Sequence, residues 1–534
     1  MLAVLVSQVP FGIDGSPIRV EVDIRTGLPG VDIVGLPDSA VKEARERVRV
    51  AIRNSGFRFP PDRILVNLSP AGIRKEGASY DLPIALGILV ASRQVPLNGS
   101  LPLMVLGELN LAGEVLPVKG VLSALGTGLQ HGVGLFLVPR ENLPEALALG
   151  RGRVFGIASL AQAAELLARL GRGEDVGGDG SAGVTEARGP GGNAAPAPAG
   201  CGPPAYESAL SFGDYEELRG HAVLKRALEV AAAGRHHLLL FGPPGSGKTM
   251  AARRLPSILP ALSWEEAVAV TRIHSIAGVL PAGGGLVLHP PLRMPHHSAS
   301  SEGIIGGGKF PRPGEVSLAH EGVLFLDEAA EFKPSLLQSL REPLEEGRVT
   351  IARAGSSVQY PASFQLVLAC NPCPCGNLGR AQTVCTCSAA EVQAYWRKLG
   401  GALLDRVDIR LPLQPVPAEE LSAGPGEGSA SMARRVARAV DLQRRRYEGL
   451  PFSRNARLAP GYVERFCRMS SEGAQVIARA MGRLDLSSRA YHSILKIART
   501  ISDLAESPEI EREHLLEAVQ YRRYGDSDIF WSYS

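Results

Sequence analysis

A short run of residues combines glycines with a lysine and a threonine, in the order Gly242-Pro243-Pro244-Gly245-Ser246-Gly247-Lys248-Thr249. Glycines let successive backbone N–H groups turn toward a triphosphate, Lys248 supplies a charge to the β- and γ-phosphates, and the Thr249 hydroxyl can ligate Mg²⁺. The apolar run Leu238–Phe241 precedes the run and the helical stretch Met250–Leu255 follows it. This strand–loop–helix context predicts a site for a nucleoside triphosphate, ATP, with Mg²⁺.

Two acidic residues, Asp327 and Glu328, follow the apolar run Val323–Leu326, which predicts a buried strand. A carboxylate at Asp327 can hold Mg²⁺ through its water shell, and a carboxylate at Glu328 can polarise an attacking water. The pair therefore favours hydrolysis over phosphoryl transfer to an organic acceptor. An ordinary strand end with surface acids is the alternative, and the phosphate-binding run upstream argues against it.

Three further side chains fit the same chemistry, although each alone is a weak signal because arginines commonly form surface ion pairs. Asn371 follows a predicted strand, Phe364–Ala369, and its amide can orient the lytic water. Arg406 precedes the alternating run Val407–Leu411. A guanidinium there can reach the γ-phosphate of a neighbouring subunit and stabilise the charge that develops in phosphoryl transfer. Arg489 opens a predicted helix and can fold back onto the nucleotide.

Four cysteines follow Asn371 closely: Cys373, Cys375, Cys385 and Cys387. The pattern is C-x-C, nine residues, C-x-C. Tetrahedral zinc takes four thiolates, and two close pairs on a loop that contains glycine can converge on one ion. The sequence therefore predicts a structural zinc site that clamps the loop after Asn371, with free or redox-exchanging thiols as the alternative.

The composition describes an ordinary globular protein of 534 residues, 45% apolar and 21% charged, with a net charge of +3. This length suggests about three domains. Because the net charge is small, any basic surface for nucleic acid must be local. The longest apolar stretch, Leu82–Ala91, is too short to span a bilayer and fits a buried helix. The sequence thus predicts a cytoplasmic protein with no membrane partner, whose cysteines are thiols or metal ligands and not a disulfide framework.

Four regions follow one another along the chain. Residues 1–170 alternate short strands with helical patterns, and residues 171–209 are rich in Gly, Ala and Pro, which predicts a flexible linker. Residues 210–414 have the strand–loop–helix pattern of a parallel α/β sheet and include the cysteine loop, 370–388. Residues 415–534 show helical periodicity throughout, which predicts an all-α domain.

The order and spacing of these residues resemble the magnesium-chelatase-like branch of the AAA+ ATPases. Within that branch the whole chain outside the linker resembles the ComM/YifB family. The resemblance assigns roles by motif: a nucleotide-base region over 214–221, Walker A over 242–249, Walker B at Asp327 and Glu328, sensor 1 at Asn371, the arginine finger at Arg406 and sensor 2 at Arg489. The other runs that match the family are 293–297, 306–308, 311–315 and 341–345.

The family resemblance implies a P-loop α/β core with hairpin insertions and a helical lid. It further implies a homo-oligomeric ring, usually a hexamer, with ATP between subunits. Two hairpins would face the central pore, one within 290–318 and the other over Val349–Pro361. Four basic residues in or beside these segments are candidates for contacts with a phosphate backbone: Lys309, Arg312, Arg348 and Arg353.

Residues 1–170 resemble the Lon-type (S5/S16-like) Ser-Lys peptidase fold, a small α+β domain, through the segments 75–81, 106–109 and 113–120. In this resemblance Ser79 falls at the nucleophile and Leu122 at the position of the lysine base. A serine hydroxyl is a poor nucleophile unless a neighbour takes its proton, and leucine cannot. A non-catalytic domain for docking or ring assembly is therefore predicted, with an active peptidase as the alternative.

The function that fits the whole architecture is an ATP-hydrolysing ring motor on DNA, with helicase or branch-migration activity in recombination or natural transformation. The alternatives are a motor subunit of magnesium-chelatase type and an ATP-dependent protease or remodelling chaperone. The Lon-like domain and the cysteine loop argue against the chelatase, and Leu122 argues against the protease. No segment reads bases, so binding of single-stranded or branched DNA would depend on its structure and on salt.

Overall fold

The computed structural model describes residues 2–97, 101–174, 176, 185–188, 212–281, 283–308, 311–353, 356–380, 383–417, 420, 426–484, 487–522 and 524. The chain forms two compact units that are not contiguous in sequence. The first comprises residues 1–210 and Trp264–Val287, and the second comprises Ser211–Ser263 and Leu288–Ser534. The segment 264–287 therefore belongs to the first unit, although in sequence it lies between the phosphate-binding run and the two acidic residues.

The first unit contains an eight-stranded mixed sheet and a separate two-stranded ribbon. Its strands are β1 (Leu2–Phe11), β2 (Asp14–Arg25), β3 (Gly30–Val34), β4 (Arg63–Ser69), β5 (Leu103–Val105), β6 (Glu108–Leu109), β7 (Val115–Leu116), β8 (Leu135–Pro139), β9 (Arg153–Ile157) and β10 (Thr185–Arg188). The sheet order is β10-β9-β8-β5-β1-β2-β4-β3, and β6 pairs with β7. Strands β1, β2 and β4 are antiparallel, whereas β5, β8 and β9 run parallel. β10 lies within the predicted linker, and its backbone pairs antiparallel with β9.

The helices of the first unit follow from apolar spacing and capping. In Ser39–Asn54 the Asp38 carboxylate accepts the Val41 N–H, which satisfies a free amide at the helix start. Helix Asp81–Ala91 is buried on every side, as the apolar run at Leu82–Ala91 predicts. The remaining helices of this unit are Val121–Gln130, Leu143–Leu147, Leu160–Gly171 and Trp264–Ala277, with a 3-10 turn at Arg140–Asn142.

A buried polar joint attaches the helix Trp264–Ala277 to the rest of the first unit. The Ser275 hydroxyl donates to Glu145 Oε1 at 2.5 Å and accepts the Gly120 N–H at 2.8 Å. The Leu122 N–H donates to the same carboxylate oxygen at 2.9 Å. Burial raises the pKa of Glu145, so this joint is satisfied by hydrogen bonds and not by an opposite charge.

The second unit is built on five parallel strands in the order β12-β15-β18-β11-β19. They are β11 (Leu238–Phe241), β12 (Leu292–Arg293), β15 (Val323–Leu326), β18 (Gln365–Cys370) and β19 (Ile409–Pro412). β11, β15 and β18 are buried along their whole length, as expected for continuous apolar strands covered on both faces. The predicted parallel α/β sheet is therefore confirmed.

Two β-hairpins extend from this sheet. β13 (Gly306–Gly307) pairs with β14 (Arg312–Pro313), and β16 (Arg348–Arg353) pairs with β17 (Ser356–Pro361). The Tyr360 hydroxyl donates to the Pro311 carbonyl at 2.8 Å, so the two hairpins contact each other. The helices around them are Ser301–Ile305, Glu315–Leu318, Pro334–Ser339, Arg341–Glu346, Ala389–Arg397 and Gly401–Leu404.

The carboxy-terminal part of the second unit is helical, as predicted. Its helices are Ser429–Arg446, Pro460–Phe466, Ser471–Leu484, Ser488–Leu504 and Arg512–Arg522. They share one apolar core with Ala222–Gly234, the helix before β11. Helix Lys248–Arg254 follows β11, and 3-10 turns lie at Tyr215–Glu217, Leu255–Ile258, Ala329–Glu331 and Asn455–Arg457. Within the described ranges, none of the helices combines the length and the apolar character that a membrane crossing requires.

Candidate functional site

Three sequence-distant motifs meet at the carboxyl edge of the five-stranded sheet. The phosphate-binding run follows β11, the two acidic residues follow β15, and Asn371 follows β18. β18 lies between β15 and β11, and all three strands are parallel. Because parallel strands end at the same edge, the topology brings these motifs together, and this edge is where open α/β sheets bind ligands.

The run at 242–249 folds as a tight loop that leads into helix Lys248–Arg254. Gly245 and Gly247 have φ of 82° and 80°, a left-handed conformation that glycine adopts without strain. The Lys248 ammonium donates to the Gly242 carbonyl at 2.6 Å and the Pro243 carbonyl at 3.0 Å, and it lies 3.4 Å from Asn371 Oδ1. Burial lowers the pKa of Lys248, and an anion beside it would raise that pKa and favour the charged form.

The loop offers two further features that fit a nucleotide. The Ser246 hydroxyl is buried and makes no hydrogen bond within the described part of the chain. Leu218 and His221 lie against Gly247: a Cβ built there would be 3.2 Å from Leu218 Cδ1 and 3.4 Å from His221 Nε2. These two side chains belong to the segment 214–221, whose predicted role is to contact the base. Phosphate and base positions are therefore adjacent.

Thr249 and Asp327 place two oxygen atoms side by side that would serve as protein ligands or water-mediated ligands of Mg²⁺. The Thr249 hydroxyl donates to Asp327 Oδ2 at 2.7 Å, and the Glu328 N–H donates to Asp327 Oδ1 at 3.0 Å. A hydroxyl and a carboxylate next to a phosphate loop suit a hard cation that keeps several of its waters. The residues present therefore fit Mg²⁺ bound together with a triphosphate.

Glu328 has an exposed side chain and an uncommon backbone conformation. Its carboxylate is 58% exposed, and its φ of 49° lies in the left-handed region. His297 Nδ1 lies 3.6 Å from Glu328 Oε2. Sequence reasoning counted His297 only within a family motif and did not predict this contact.

Arg406 and Arg489 lie together, apart from the phosphate loop. Arg406 comes three residues before β19 and therefore lies at the amino edge of the sheet, opposite the loop. It forms an ion pair with Glu345. Arg489 lies 3.2 Å from Asp405 and 3.4 Å from the same Glu345. The structure thus places Arg489 beside Arg406, whereas the sequence-based expectation had it folding back onto its own nucleotide.

The two arginines differ in accessibility. The Arg406 side chain is 8% exposed, and burial together with the charge of Arg489 lowers its pKa. The Arg489 side chain is 47% exposed. Arg489 is therefore accessible to solvent, whereas Arg406 is enclosed and paired with Glu345.

Comparisons with known proteins identify relatives that match nearly the whole chain. Residues 214–421 match the family described as magnesium chelatase, subunit ChlI; residues 20–142 match subunit ChlI of Mg-chelatase; and residues 426–522 match the ChlI C-terminal family. YifB of Escherichia coli is 40% identical over 523 residues, covering 98% of this chain and 97% of its own length. Competence protein ComM of Haemophilus influenzae is 37% identical over 535 residues, with the same coverage of both chains.

The chain belongs to the YifB/ComM family. This is a family of magnesium-chelatase-like AAA ATPases, so the predicted family is confirmed. A more distant relative, the magnesium-chelatase 38 kDa subunit of Rhodobacter capsulatus, is 27% identical over 175 residues, which cover 30% of this chain and 50% of that subunit.

The four cysteines of this YifB/ComM chain converge, and one ligand atom from each lies within 4.8 Å of all the others. Cys373 Sγ is 3.4 Å from Cys375 Sγ and 3.6 Å from Cys385 Sγ, and Cys375 Sγ is 3.6 Å from Cys385 Sγ. Four thiolates at a Zn–S distance of about 2.3 Å form a tetrahedron with edges of about 3.8 Å. The cluster can therefore hold zinc.

The cysteine loop lies against the phosphate loop. A Cβ built on Gly376 would be 3.1 Å from Pro244 Cδ and Cγ and 3.9 Å from Asn371 Cγ. The Trp396 indole donates to the Pro372 carbonyl at 3.1 Å, which ties the loop to helix Ala389–Arg397. A change in the conformation of the cysteine loop would thus alter the packing around both Pro244 and Asn371.

The candidate contacts for a phosphate backbone lie on the two hairpins of this family member. Arg312 is exposed on β14, and Arg348 is exposed on β16, where it lies 3.1 Å from Glu346. The backbone of Arg353 forms the end of β16, but its side chain lies outside the described residues, as does the whole of Lys309.

In the first unit, Leu122 is fully buried and is the second residue of helix Val121–Gln130. Ser79 is half-buried, and its carbonyl accepts the Gly107 N–H at 3.3 Å. A core leucine stands where the resemblance to a peptidase would need a lysine.

Proposed function

We propose that the chain hydrolyses ATP with Mg²⁺ at the phosphate loop, within a homo-oligomeric ring, usually a hexamer, that moves on DNA. The observation that carries the hydrolysis is the contact of Lys248 with Asn371 and of Thr249 with Asp327 at one sheet edge. These four side chains come from three motifs that are distant in sequence, and together they supply parts that phosphoryl transfer needs.

Each residue has one role in this reaction. Lys248 stabilises charge on the β- and γ-phosphates, and Thr249 and Asp327 hold Mg²⁺ and its waters. Bound Mg²⁺ supplies further neutralisation of the phosphate oxygens. Glu328 takes a proton from the attacking water while the water oxygen bonds to the γ-phosphorus and the bond to the bridging oxygen of ADP breaks. Asn371 orients that water.

Arg406 and Arg489 act on the nucleotide of a neighbouring subunit. A strand rises about 3.3 Å per residue, so the four residues of β19 separate the two sheet edges by roughly 10 Å or more. Arg406 lies beyond the amino end of that strand, and Arg489 lies next to it. Arginines held at the far edge from their own phosphate loop serve a site formed between subunits. Arg489 makes the first contact, and Arg406 follows when Glu345 releases it.

DNA is the polymer on which this ring acts. Support comes from the name of the ComM relative, a competence protein, and from the exposed Arg312 and Arg348 on two connected hairpins. Contacts of this kind bind phosphates without reading bases, so binding would weaken steeply with salt. Helicase or branch-migration activity belongs to this proposal. A magnesium-chelatase-type motor or a remodelling chaperone would hydrolyse ATP equally well but would not respond to DNA.

The cysteine cluster holds structural Zn²⁺. The carrying observation is that three Sγ–Sγ distances are 3.4 to 3.6 Å, close to the edges of a zinc tetrahedron, and that all four sulfur atoms lie within 4.8 Å of one another. We expect one zinc ion per chain in protein purified without chelator, and none after substitution of Cys375 and Cys385 by serine. Wild-type protein that folds and hydrolyses ATP with no bound metal would contradict this assignment.

The first unit is a Lon-peptidase-like domain that docks or assembles and does not cleave peptides. The buried Leu122 is the supporting observation, since an alkyl side chain cannot take the proton of Ser79. A peptidase assay with Ser79→Ala as control tests this point, because cleavage that depends on Ser79 would overturn it.

The ATPase rate with and without single-stranded and forked DNA, at two salt concentrations, tests the main proposal. We expect stimulation by DNA at low salt that is lost at high salt. Lys248→Ala is the matched control, because it weakens nucleotide binding and so removes both rates. An ATPase rate that does not change with DNA would contradict the DNA motor and favour a chelatase-type motor or a chaperone.

A further inference from the structure

We propose that Arg522, at the end of helix Arg512–Arg522, is a positioning residue that fixes the loop 405–408 and through it Arg406 and Arg489. This inference rests on the proposed action of these two arginines on the nucleotide of a neighbouring subunit. The observation that carries it is the set of hydrogen bonds that the Arg522 guanidinium donates to the loop.

The loop 405–408 joins helix Gly401–Leu404 to β19, and Arg522 holds it by its backbone. Arg522 Nη1 donates to the Val407 carbonyl. Arg522 Nη2 donates to the Asp405 carbonyl at 3.0 Å and lies 3.3 Å from Asp405 Oδ1. The two carbonyls belong to the residues immediately before and after Arg406. One guanidinium therefore fixes the chain on both sides of Arg406.

The burial of Arg522 makes this contact a rigid one. Leu515, Ala518 and Arg522 are buried on one face of their helix, at intervals of three and four residues. The Arg522 side chain is 3% exposed, so its N–H groups must find acceptors within the protein. Because a guanidinium is planar, it holds two acceptors at a defined separation. The position of the loop is thus tied to the packing of the carboxy-terminal helix.

The same guanidinium is linked to Arg489 through one carboxylate. Asp405 Oδ1 faces Arg522, and Arg489 Nη1 donates to Asp405 Oδ2 at 3.2 Å. Arg489 also lies 3.4 Å from Glu345, which pairs with Arg406. Arg522 therefore positions Arg406 through the backbone and Arg489 through the side chain of Asp405.

A second buried arginine ties the carboxy-terminal segment to the start of the loop. Arg410, in β19, is 2% exposed. Its Nη1 donates to the Tyr524 carbonyl at 2.8 Å, and its Nη2 donates to the Leu404 carbonyl at 2.7 Å. The residue before the loop is thus connected to the same part of the chain as the loop itself, which supports a positioning role for this part.

The test compares Arg522→Gln with a matched control, Arg499→Gln. The Arg499 side chain is also 3% exposed, and it donates to the carbonyls of Ser507 and Pro508 at 2.6 and 2.8 Å. It also pairs with a carboxylate, that of Asp503, at 3.0 Å. Both substitutions therefore break a buried guanidinium network of the helical region, but only the Arg522 network includes the loop of Arg406.

Steady-state ATPase kinetics of the assembled ring give the first readout. We expect kcat to fall about ten- to hundred-fold in Arg522→Gln with KM for ATP unchanged, because a displacement of about 1 Å costs on the order of 10²-fold in rate. Arg522→Lys can bond one carbonyl at a time, and its kcat should fall about three- to ten-fold. Arg499→Gln should keep kcat within about two-fold of wild type, although its melting temperature falls.

Mixed rings give a readout that a general loss of stability would not change. Arg522→Gln leaves the carboxyl edge of its own subunit complete, so that site needs only a neighbour with Arg406 in place. Mixing Arg522→Gln subunits with Glu328→Gln subunits should therefore restore part of the activity.

The inference is wrong if kcat falls no further in Arg522→Gln than in Arg499→Gln, or if mixing restores no activity. If Arg522→Gln does not fold or form rings, the same two comparisons with Arg522→Lys decide. Arg406→Ala distinguishes this failure from that of the proposed function. If Arg406→Ala keeps wild-type turnover, the role of Arg406 itself is wrong, whereas if it is inactive and Arg522→Gln behaves as Arg499→Gln, only the inference fails.

Discussion

The two edges of the five-stranded sheet use polar side chains in different ways. At the carboxyl edge, Lys248 contacts loop carbonyls and Asn371, and Thr249 contacts Asp327, all of which can change partners when a nucleotide arrives. At the amino edge, polar groups pair with each other beneath the helical region. His236, which precedes β11, bonds to Thr500 of the carboxy-terminal helices at 2.8 Å. The polar groups of the carboxyl edge can exchange their partners for a ligand, whereas those of the amino edge are paired with other parts of the protein.

The electrostatics of the two edges differ accordingly. Burial alone would raise the pKa of Glu321, at the amino edge, but the charges of Arg235 and His320 lower it to about 2. Burial would also raise the pKa of Asp408, but the hydrogen bond and charge of His236 hold that pKa well below the usual range. At the carboxyl edge burial lowers the pKa of Lys248, and the neighbouring Cys370 and Asp327 offset only part of this effect. A buried cation that is only partly compensated favours an anionic ligand, so the contrast itself indicates where phosphate binds.

The largest expected effect tests whether the arginines at the amino edge serve a different subunit. Arg406→Ala should lower the ATPase kcat of the assembled ring by on the order of 10³-fold, because the guanidinium stabilises charge in the transition state. Binding of ATP by the isolated subunit should not change. Arg489→Ala should behave similarly, and a loss of ATP affinity in either variant would place these side chains at their own nucleotide.

Rings that mix two variant subunits test directly whether Arg406 acts on the nucleotide of a neighbouring subunit. A subunit with Arg406→Ala keeps its Glu328, and a neighbour with Glu328→Gln keeps its Arg406, so a mixture should contain some complete sites. Activity should therefore recover in part on mixing. No recovery at any ratio would contradict action between subunits.

Glu328→Gln should lower kcat by about 10²- to 10³-fold while leaving ATP binding intact, because the amide cannot take the proton of the attacking water. Lys248→Ala should instead weaken ATP binding, since the ammonium contacts the β- and γ-phosphates. Rate and affinity measured for both variants distinguish the two roles. Equal ATPase activity in the two variants would mean that the carboxyl edge is not the reactive one.

His237, at the amino edge, should make the stability of the protein depend on pH. Burial lowers its pKa from 6.5 to about 4, so the unfolded chain binds a proton below pH 6.5 that the folded chain excludes. Stability is therefore complete above pH 6.5 and falls as the pH drops toward 4. We expect this group to cost roughly 2 kcal/mol of unfolding free energy between pH 7 and pH 5.

His237→Gln tests this dependence by urea unfolding at the two pH values. Glutamine keeps an acceptor for the Leu366 N–H, which now donates to His237 Nδ1 at 3.0 Å, but it does not titrate. The loss of stability on acidification should be smaller in this variant. The exposed His296→Gln should lose as much as wild type, and an equal loss in all three proteins would show that the amino edge is insensitive to acid.

The smallest expected effect concerns the cysteine loop, which lies against the phosphate loop. Removal of zinc through Cys375→Ser and Cys385→Ser should loosen Gly376 against Pro244 and weaken ATP binding by a few-fold, with thermal stability of the carboxy-terminal helices unchanged. Cys467→Ala, a buried thiol in the helical region, is the control. If ATP affinity is unchanged in the absence of metal, the cysteine loop does not influence the nucleotide site.

The sequence predicted the parts of this molecule whose chemistry is local. The phosphate loop, the two acids and Asn371 each stand directly after a strand, and parallel pairing then carries them to one edge. The parallel sheet and the helical carboxy-terminal region were predicted for the same reason, because apolar periodicity records which face of an element is buried. The exact bounds differ by a few residues where strands and helices end.

Other features could not be read from local pattern. The contact of His297 with Glu328 depends on the register of β12 against β15, and two residues of pairing leave too short a pattern to predict it. The attachment of Trp264–Ala277 to the first unit depends on contacts between residues distant in sequence, among them the buried hydrogen bond of Ser275 with Glu145 and the ion pair of Arg272 with Asp14. The position of Arg489 depends on how the carboxy-terminal helices pack, which brings it to Glu345 and Asp405.

The chain by itself determined which chemistry is available: a phosphate cradle, oxygen ligands for Mg²⁺, a carboxylate base, two arginines and four thiols. Tertiary structure alone decided which of these meet. Residue types and their spacing fix the local conformation of each motif, because backbone freedom and apolar periodicity act over a few residues. Contacts across strands and between helices depend on register and packing summed over whole elements, and no short segment contains that information.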